Sequence, residues 1–398
     1  MNLLVISSFY PSVTNPVSGI FVHQQVTELV KQGCQVRVIA PVPLAPFPLP
    51  LLSKKWEGFH ATPRFDLLDK VQVYHPRYLS LPRSWFFDHS GQWMFAGIKG
   101  LVSEISEEFP FDLIHAHAAL PAGYAAMRIA AKFGIPFVVT IHGADLQKTV
   151  HINQHAQQAV GEVISHSTTA VFVSHKLKRI AADQFGDDNQ FKVIPNGIDP
   201  ASIKQDSHSH PTPAQAPITL LSVSNLFPSK GIDDNLTALA RLVGKYPDLR
   251  YLIIGDGPER GYLENLSREL GLSNQVEFLG QLPHDQVMSA MADCDIFSLP
   301  SWQEGFGIVY LEAMAHGVPV IGCQGEGLED FVNHSVTGYL VKPRDLDDLV
   351  KVLDHLLDSP GIRTQIGINA RKHVLENYTW ERNAHRTMQL YREITSDL

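Results

Sequence analysis

Short apolar runs alternate with amphipathic stretches along most of the chain, and the alternation reads as strand, helix, strand. Residues 3–8 are a continuous apolar strand, 21–31 carry an apolar stripe at helical spacing, and 35–40 form a second strand after Gly33. The pattern resumes with strands at 112–116, 136–141, 169–173 and 191–194, separated by helices at 122–132, 156–165 and 175–185. Strands apolar on both faces belong to a parallel sheet covered by helices. Residues 204–217 (KQDSHSHPTPAQAP) are polar, proline-containing and without period, as a linker is. A second series follows, with strands at 218–223, 251–254, 276–279, 295–299 and 338–341, and helices from 232, at 285–292 and at 308–315. The expected division is a first domain at 1–203, a linker at 204–217, a second domain at 218–378 and a terminal helix at 379–398. Residues 41–110 are the least regular part.

Length agrees with this division, because 398 residues exceed what one core usually organises. Net charge is −9, unevenly spread: residues 1–200 are near +1 and the remainder near −10. Neither half has the basic stripe that nucleic-acid binding needs, so a nucleic-acid partner is not expected. The three cysteines, Cys34, Cys294 and Cys323, lack metal-type spacing and read as buried, reduced thiols of a cytoplasmic protein. MNLLVISSFYP reads as a first strand rather than a signal peptide, and the uncharged run 38–52 holds five prolines, which bars a spanning helix. The expectation is a soluble protein, at most peripheral on the inner face of a membrane. Between 41 and 110, Lys54-Lys55-Trp56 and Arg83-Ser84-Trp85-Phe86-Phe87 mix basic and aromatic residues, which suits either a membrane interface or core packing with solvated cations.

The richest chemistry lies at 294–321. A buried strand at 295–299 leads through Ser301-Trp302-Gln303-Glu304-Gly305-Phe306-Gly307 into a helix at 308–315, which Gly317 stops and Pro319 keeps from continuing. Glycines there let a ligand approach the first N–H groups of the helix, a place for phosphate. Glu304 sits on the turn and Glu312 about one helical turn inside, so a ligand with phosphates on the helix start could meet a carboxylate at each end. Ionised carboxylates are strong acceptors for sugar hydroxyls.

This stretch resembles the E-x7-E motif of the retaining glycosyltransferases of family 4, with GFG between the two acids. The resemblance implies the GT-B fold, an α/β architecture of two facing Rossmann-like domains whose last helix returns to the first domain. It implies that Glu304 contacts the donor sugar, that Glu312 holds the nucleotide ribose, and that Gly305, Phe306 and Gly307 line the donor. Further motifs extend it. VIPNGID, with Asn196, is similar to the motif that closes the first domain, and Gly255-Asp256-Gly257-Pro258 to the GDGP turn, which adds Gly257 to the donor site. Gly325-Glu326-Gly327-Leu328-Glu329 matches a turn that places backbone amides on the donor. Gly19, before the first helix, matches glycines that let the diphosphate approach. Lys230 fits the position of a phosphate-binding lysine, but the family's arginine five residues earlier is Asn225 here. Either another cation replaces it or the donor site is weaker than usual.

Two histidine turns are expected beyond strand ends, at His115-Ala116-His117 and His142-Gly143-Ala144-Asp145, where open parallel sheets gather ligands. By resemblance His117 lies at the donor sugar's reacting face, with His142 and Asp145 bordering the cleft. His115 and His117 are expected to point to opposite sides of their strand, and with no third ligand in view a metal is not expected; the family needs none.

The reading is a glycosyltransferase acting on a nucleotide sugar and a glycan or lipid-linked acceptor, in cell-envelope or polysaccharide synthesis. His117, Lys230 and Glu304 are its expected catalytic residues, and no cofactor is expected. No carboxylate stands ready as a nucleophile, so positioning and charge stabilisation carry the reaction. Competing readings are a nucleotide-sugar epimerase on the same fold and a non-catalytic sugar-nucleotide binder. A nicotinamide-dependent dehydrogenase is disfavoured, because no G-x-G-x-x-G follows the first strand.

Overall fold

The computed structural model describes residues 1–81, 85–186, 189–203 and 217–396. Residues 204–216 of the expected linker lie outside them, as do Arg83 and Ser84 of the aromatic and basic run. The chain divides into two compact units, one of Met1–Asn196 with Trp380–Leu398 and one of Gly197–Thr379.

In the first unit, strands β1 (Asn2–Ser7), β2 (Gln35–Ile39), β3 (Phe65–Leu68), β4 (Val71–Tyr74), β5 (Leu113–His117), β6 (Phe137–Ile141), β7 (Thr169–Phe172) and β8 (Phe191–Val193) form one sheet. Its order is β8-β7-β6-β5-β1-β2-β4-β3. The pairs are parallel except β3 against β4, where Phe65 faces Tyr74. Residues 41–110 are therefore more regular than expected. They contribute two strands to the main sheet and a helix, Ser90–Glu108, whose Met94, Ile98, Val102 and Ile105 are buried at helical spacing. The strand β3 escaped notice because it is an edge: Phe65 and Leu67 are exposed, so its pattern lacks an inward apolar face.

Helix α1 (Ile20–Lys31) buries Val22, Val26 and Leu29 and ends where Gly33 takes a φ of 95°. It packs on α6 (Trp380–Ser396), whose Ala384, Met388 and Tyr391 join the same core. The last helix thus belongs to the first unit. Burying a side chain of this size contributes roughly 1.5–3 kcal/mol, so the α1–α6 seam is a main support of the unit. Cys34, Cys294 and Cys323 are buried, and among the described residues none of them forms a disulfide.

In the second unit β9 (Thr219–Val223), β10 (Arg250–Ile254), β11 (Val276–Gly280), β12 (Ile296–Ser298), β13 (Val320–Cys323) and β14 (Gly338–Val341) form a sheet of order β11-β10-β9-β12-β13-β14, with every pair parallel. The order reverses between β9 and β12 here, and between β1 and β5 in the first unit. Loops leaving neighbouring strands at such a reversal diverge to opposite faces and open a crevice at the C-terminal strand ends. Among the described residues no helix is long and apolar enough to cross a membrane.

Candidate functional site

The crevice of the second unit is bordered by the loop after β9 and the loop after β12. The first ends in a single turn, Pro228–Lys230, and the second runs into helix α5 (Ile308–Ala315). Trp302 N–H donates to the Ser229 carbonyl at 3.0 Å and fastens the loops together. Lys230 Nζ then meets Glu304 Oε2 at 2.7 Å, with both side chains under one-fifth exposed. Sequence reading gave these two groups to different parts of a ligand; the structure joins them. A ligand entering this crevice either breaks the pair or adds its own negative charge to the two remaining protons of the ammonium.

Glu304 N–H donates to the carboxylate of Glu326, and Gly327 N–H donates to the Glu304 carbonyl at 3.2 Å. The turn at 325–329 is thus docked on the turn at 304–306, so closely that a Cβ on Gly327 would fall 2.1 Å from the Gly305 carbonyl oxygen. Glu326 was not singled out in the sequence as a site residue, though an acid between two glycines was the signal available. Gly307 begins α5 with a φ of 90°, where a Cβ would also strike the Tyr310 ring at 2.6 Å. This conformation costs L side chains energy and is what lets α5 start directly after the turn. Glu312 is one turn further on and half-buried; burial pushes its carboxyl up to about 7. Phe306 is not a ligand-facing ring, because it is buried against Phe331 at a ring distance of 5.1 Å. What it offers is backbone.

Asn225 is exposed at the start of the loop after β9, and Gly257 packs on the backbone of Leu226, where a Cβ would lie 2.4 Å from its oxygen. One further cation beside these loops was not singled out in the sequence. Arg344 lies over the Trp302 ring at 4.6 Å and pairs with Asp233 at 2.7 Å and Asp234 at 3.0 Å, which open the helix after Lys230. It braces both loops, yet those carboxylates already occupy it.

In the first unit, His115 and His117 lie within β5 rather than on a turn beyond it. They also share a face, with ring centroids 4.4 Å apart. The opposite expectation was wrong, because side chains alternate with period two and residues two apart point the same way. His115 is a core residue, bonded through Nε2 to Thr140 Oγ1 at 2.7 Å and through Nδ1 to the Tyr391 hydroxyl at 2.5 Å. His117 Nδ1 and His142 Nε2 are 3.0 Å apart in stacked rings. Burial holds both imidazoles well below the usual histidine range, His142 at about 3, so the pair is neutral at physiological pH. Among the described residues His117 Nε2 and His142 Nδ1 have no partner.

Asp145 Oδ1 accepts from Ala119 N–H at 2.8 Å and Leu120 N–H at 3.4 Å, holding the segment that follows His117. Burial raises its carboxyl to about 6. Gly19 caps α1 at a φ of 63°, and the space its missing Cβ would need is filled by the Phe9 carbonyl, 2.2 Å away. That glycine is demanded by local packing. Asn196 is buried at the end of the first unit.

Two sequence models match the chain: Glycosyltransferase Family 4 over residues 18–202 and Glycosyl transferases group 1 over residues 204–373. The chain is 27% identical to a putative teichuronic acid biosynthesis glycosyltransferase, TuaC, of Bacillus subtilis (strain 168), over 99% of each chain. It is 26% identical to a glycogen synthase of Mycobacterium tuberculosis, over 98% of this chain and 94% of the relative. Among solved structures, a sucrose-phosphate synthase from Thermosynechococcus elongatus superposes with a TM-score of 0.80 at 21% identity, over the whole of both chains. The Anabaena HepE protein in complex with UDP superposes with a TM-score of 0.72 at 20% identity, over 99% of this chain and 100% of that one. These likenesses, with the paired sheets and their crevices, place the chain among the family 4 glycosyltransferases of the GT-B fold.

Proposed function

We propose that the protein transfers a sugar from a nucleoside-diphosphate sugar to a hydroxyl of a glycan or lipid-linked acceptor, retaining the anomeric configuration, in cell-envelope or polysaccharide synthesis at the cytoplasmic side. One observation carries this reading: Lys230 and Glu304 are paired at the start of α5, and Glu312 lies one turn further along the same helix. The helix start and the Lys230 ammonium offer positive charge to a leaving diphosphate, and the two carboxylates offer acceptors to sugar and ribose hydroxyls. In the transfer the acceptor oxygen bonds to the anomeric carbon as the carbon–oxygen bond to the diphosphate breaks. The acceptor's proton passes to the departing phosphate, and the donor chemistry needs neither metal nor cofactor. The UDP bound to the HepE neighbour favours a nucleoside diphosphate as the carrier.

An acceptor place is favoured in the first unit by a cavity lined by Ser8, Tyr10, Ser12, Thr14, Asn15 and His75, among others, with no charged side chain in its walls. Hydroxyl and amide walls suit a neutral, hydroxyl-rich glycan end. For a lipid-linked acceptor, Phe47 and Leu51, exposed by 81% and 74%, stand just before Lys54 and Lys55.

A thermal-shift screen against UDP-, GDP-, ADP- and TDP-sugars, run with Glu312→Ala in parallel, tests the donor site. A ligand at a hundred times its dissociation constant adds about 2.7 kcal/mol of stability. One nucleotide class is expected to stabilise the wild type and not the variant. Stabilisation by none of them overturns the reading.

A further inference from the structure

We infer that Asp88, His89 and His155 in the first unit form a site for a divalent transition-metal ion, with Zn²⁺ the best match. Each offers one ligand atom, and these atoms lie within 4.8 Å of one another. Asp88 and His89 form the turn that opens helix Ser90–Glu108, and His155 is in the first turn of helix Gln154–His166. The fold therefore brings the set together from two distant stretches of sequence.

Two imidazoles and one carboxylate are a borderline-soft set that suits zinc and disfavours magnesium, which prefers oxygen alone. Around zinc at its usual ligand distances, neighbouring ligand atoms are about 3.3 Å apart. His155 Nδ1 and Asp88 Oδ2 already stand at 3.0 Å, and the His89 and His155 rings are 4.8 Å apart. A small swing of His89 completes three ligands and leaves a fourth position for water.

The surroundings resemble a prepared ligand shell. Asn153 Nδ2 donates to Asp88 Oδ2 at 3.3 Å, while Asn153 Oδ1 is itself held by the Ala156 N–H at 2.8 Å. The His89 ring is stacked with Trp93 at 6.2 Å. Charge completes the case. The Asp88 side chain is 12% exposed, and among the described residues its ion-pair partner is His155 alone, which is charged only when protonated. A cation shared with the two imidazoles would compensate its charge. The metal would staple the turn at 86–89, beside the exposed Phe86, to the second helix.

The test uses the untagged full-length protein, stripped with EDTA, and measures Zn²⁺ binding against a chromogenic chelator, with Co²⁺ as a spectroscopic probe and Mg²⁺ as control. The expected result is one tight Zn²⁺ per chain and the visible absorption of low-coordinate, nitrogen-ligated Co²⁺. His155→Ala and Asp88→Asn should each weaken binding at least about tenfold, since even indirect ligand supports are worth that much. His155 is half-exposed, so its variant should melt like the wild type in EDTA. Should Asp88→Asn not fold, His89→Ala takes its place. A wild type that binds no Zn²⁺ in the micromolar range overturns the proposal. So do variants that bind as tightly as the wild type, because the ion would then sit elsewhere among the 19 histidines.

Discussion

Two carboxylic acids with raised proton affinity, Glu312 at about 7 and Asp145 at about 6, owe it to burial. The ordinary glutamate value is 4.5. Between these two pH values the native state keeps a proton on Glu312 that the unfolded chain has lost, so stability falls as pH rises through this window. Glu312→Gln removes the effect. Its melting temperature should match the wild type near pH 4.5 and exceed it at pH 8, while nucleotide-sugar binding is lost; an identical difference at both pH values would contradict the assignment. For the wild type, donor affinity should rise from pH 5 to 8 on the proposed role, in which the ionised form accepts the ribose hydroxyls. Lys230→Ala should lower kcat by about 10² to 10³ with the fold intact, the usual cost of losing one stabiliser of developing charge. Near-normal turnover would remove Lys230 from the reaction. The neutral His117–His142 pair shares one proton, so the tautomer of His117 is tied to that of His142. The sequence ranked His142 behind His117; the structure makes it the group on which the protonation of His117 Nε2 depends.

At the scale of elements, strand β12, the glycine turn and α5 were legible because each is built by local rules: an apolar run, two glycines and a helical stripe with a stop. Gly307→Ala forces an L side chain into a φ of 90° against the Tyr310 ring. A loss of about 1–3 kcal/mol is expected in denaturant unfolding, together with weakened donor binding. Arg344 acts differently. Its ion pairs are half-exposed, so Arg344→Ala should cost less than about 1 kcal/mol of stability. It nevertheless ties the start of the helix after Lys230 to Trp302, and donor affinity should fall several-fold as the two loops loosen. Equal donor affinity in calorimetric titration would reduce it to a surface charge. No sequence rule links residue 344 to 302, which is why this brace went unseen.

At the scale of the whole molecule, the first unit is closed by a helix from the far end of the chain. Tyr391 reaches His115, 276 residues away, and Gln25 Nε2 donates to Asn383. Tyr391→Phe leaves a buried imidazole nitrogen unpaired and should cost about 1–3 kcal/mol. Because His115 packs on His117, a parallel fall in kcat is expected from a residue that touches no substrate. Unchanged stability and turnover would show the contact to be idle. For the exposed apolar group at Phe47 and Leu51, flotation with anionic liposomes should carry the wild type, and Lys54→Glu with Lys55→Glu should stay behind; a wild type left in solution removes the membrane version of the acceptor reading.

The sequence by itself determined the two strand–helix series and the residues of the glycine turn, because these depend on periodicity and on backbone rules that act over a few positions. Tertiary structure alone decided that Lys230 pairs with Glu304, that His117 pairs with His142, that Glu326 and Arg344 brace the loops after β9 and β12, and that Asp88, His89 and His155 converge. Each of these depends on which strands become neighbours in the sheet and how far the loops between them reach. That pairing is set by the packing of whole sheets and helices, a sum over many weak contacts that no short stretch of sequence carries.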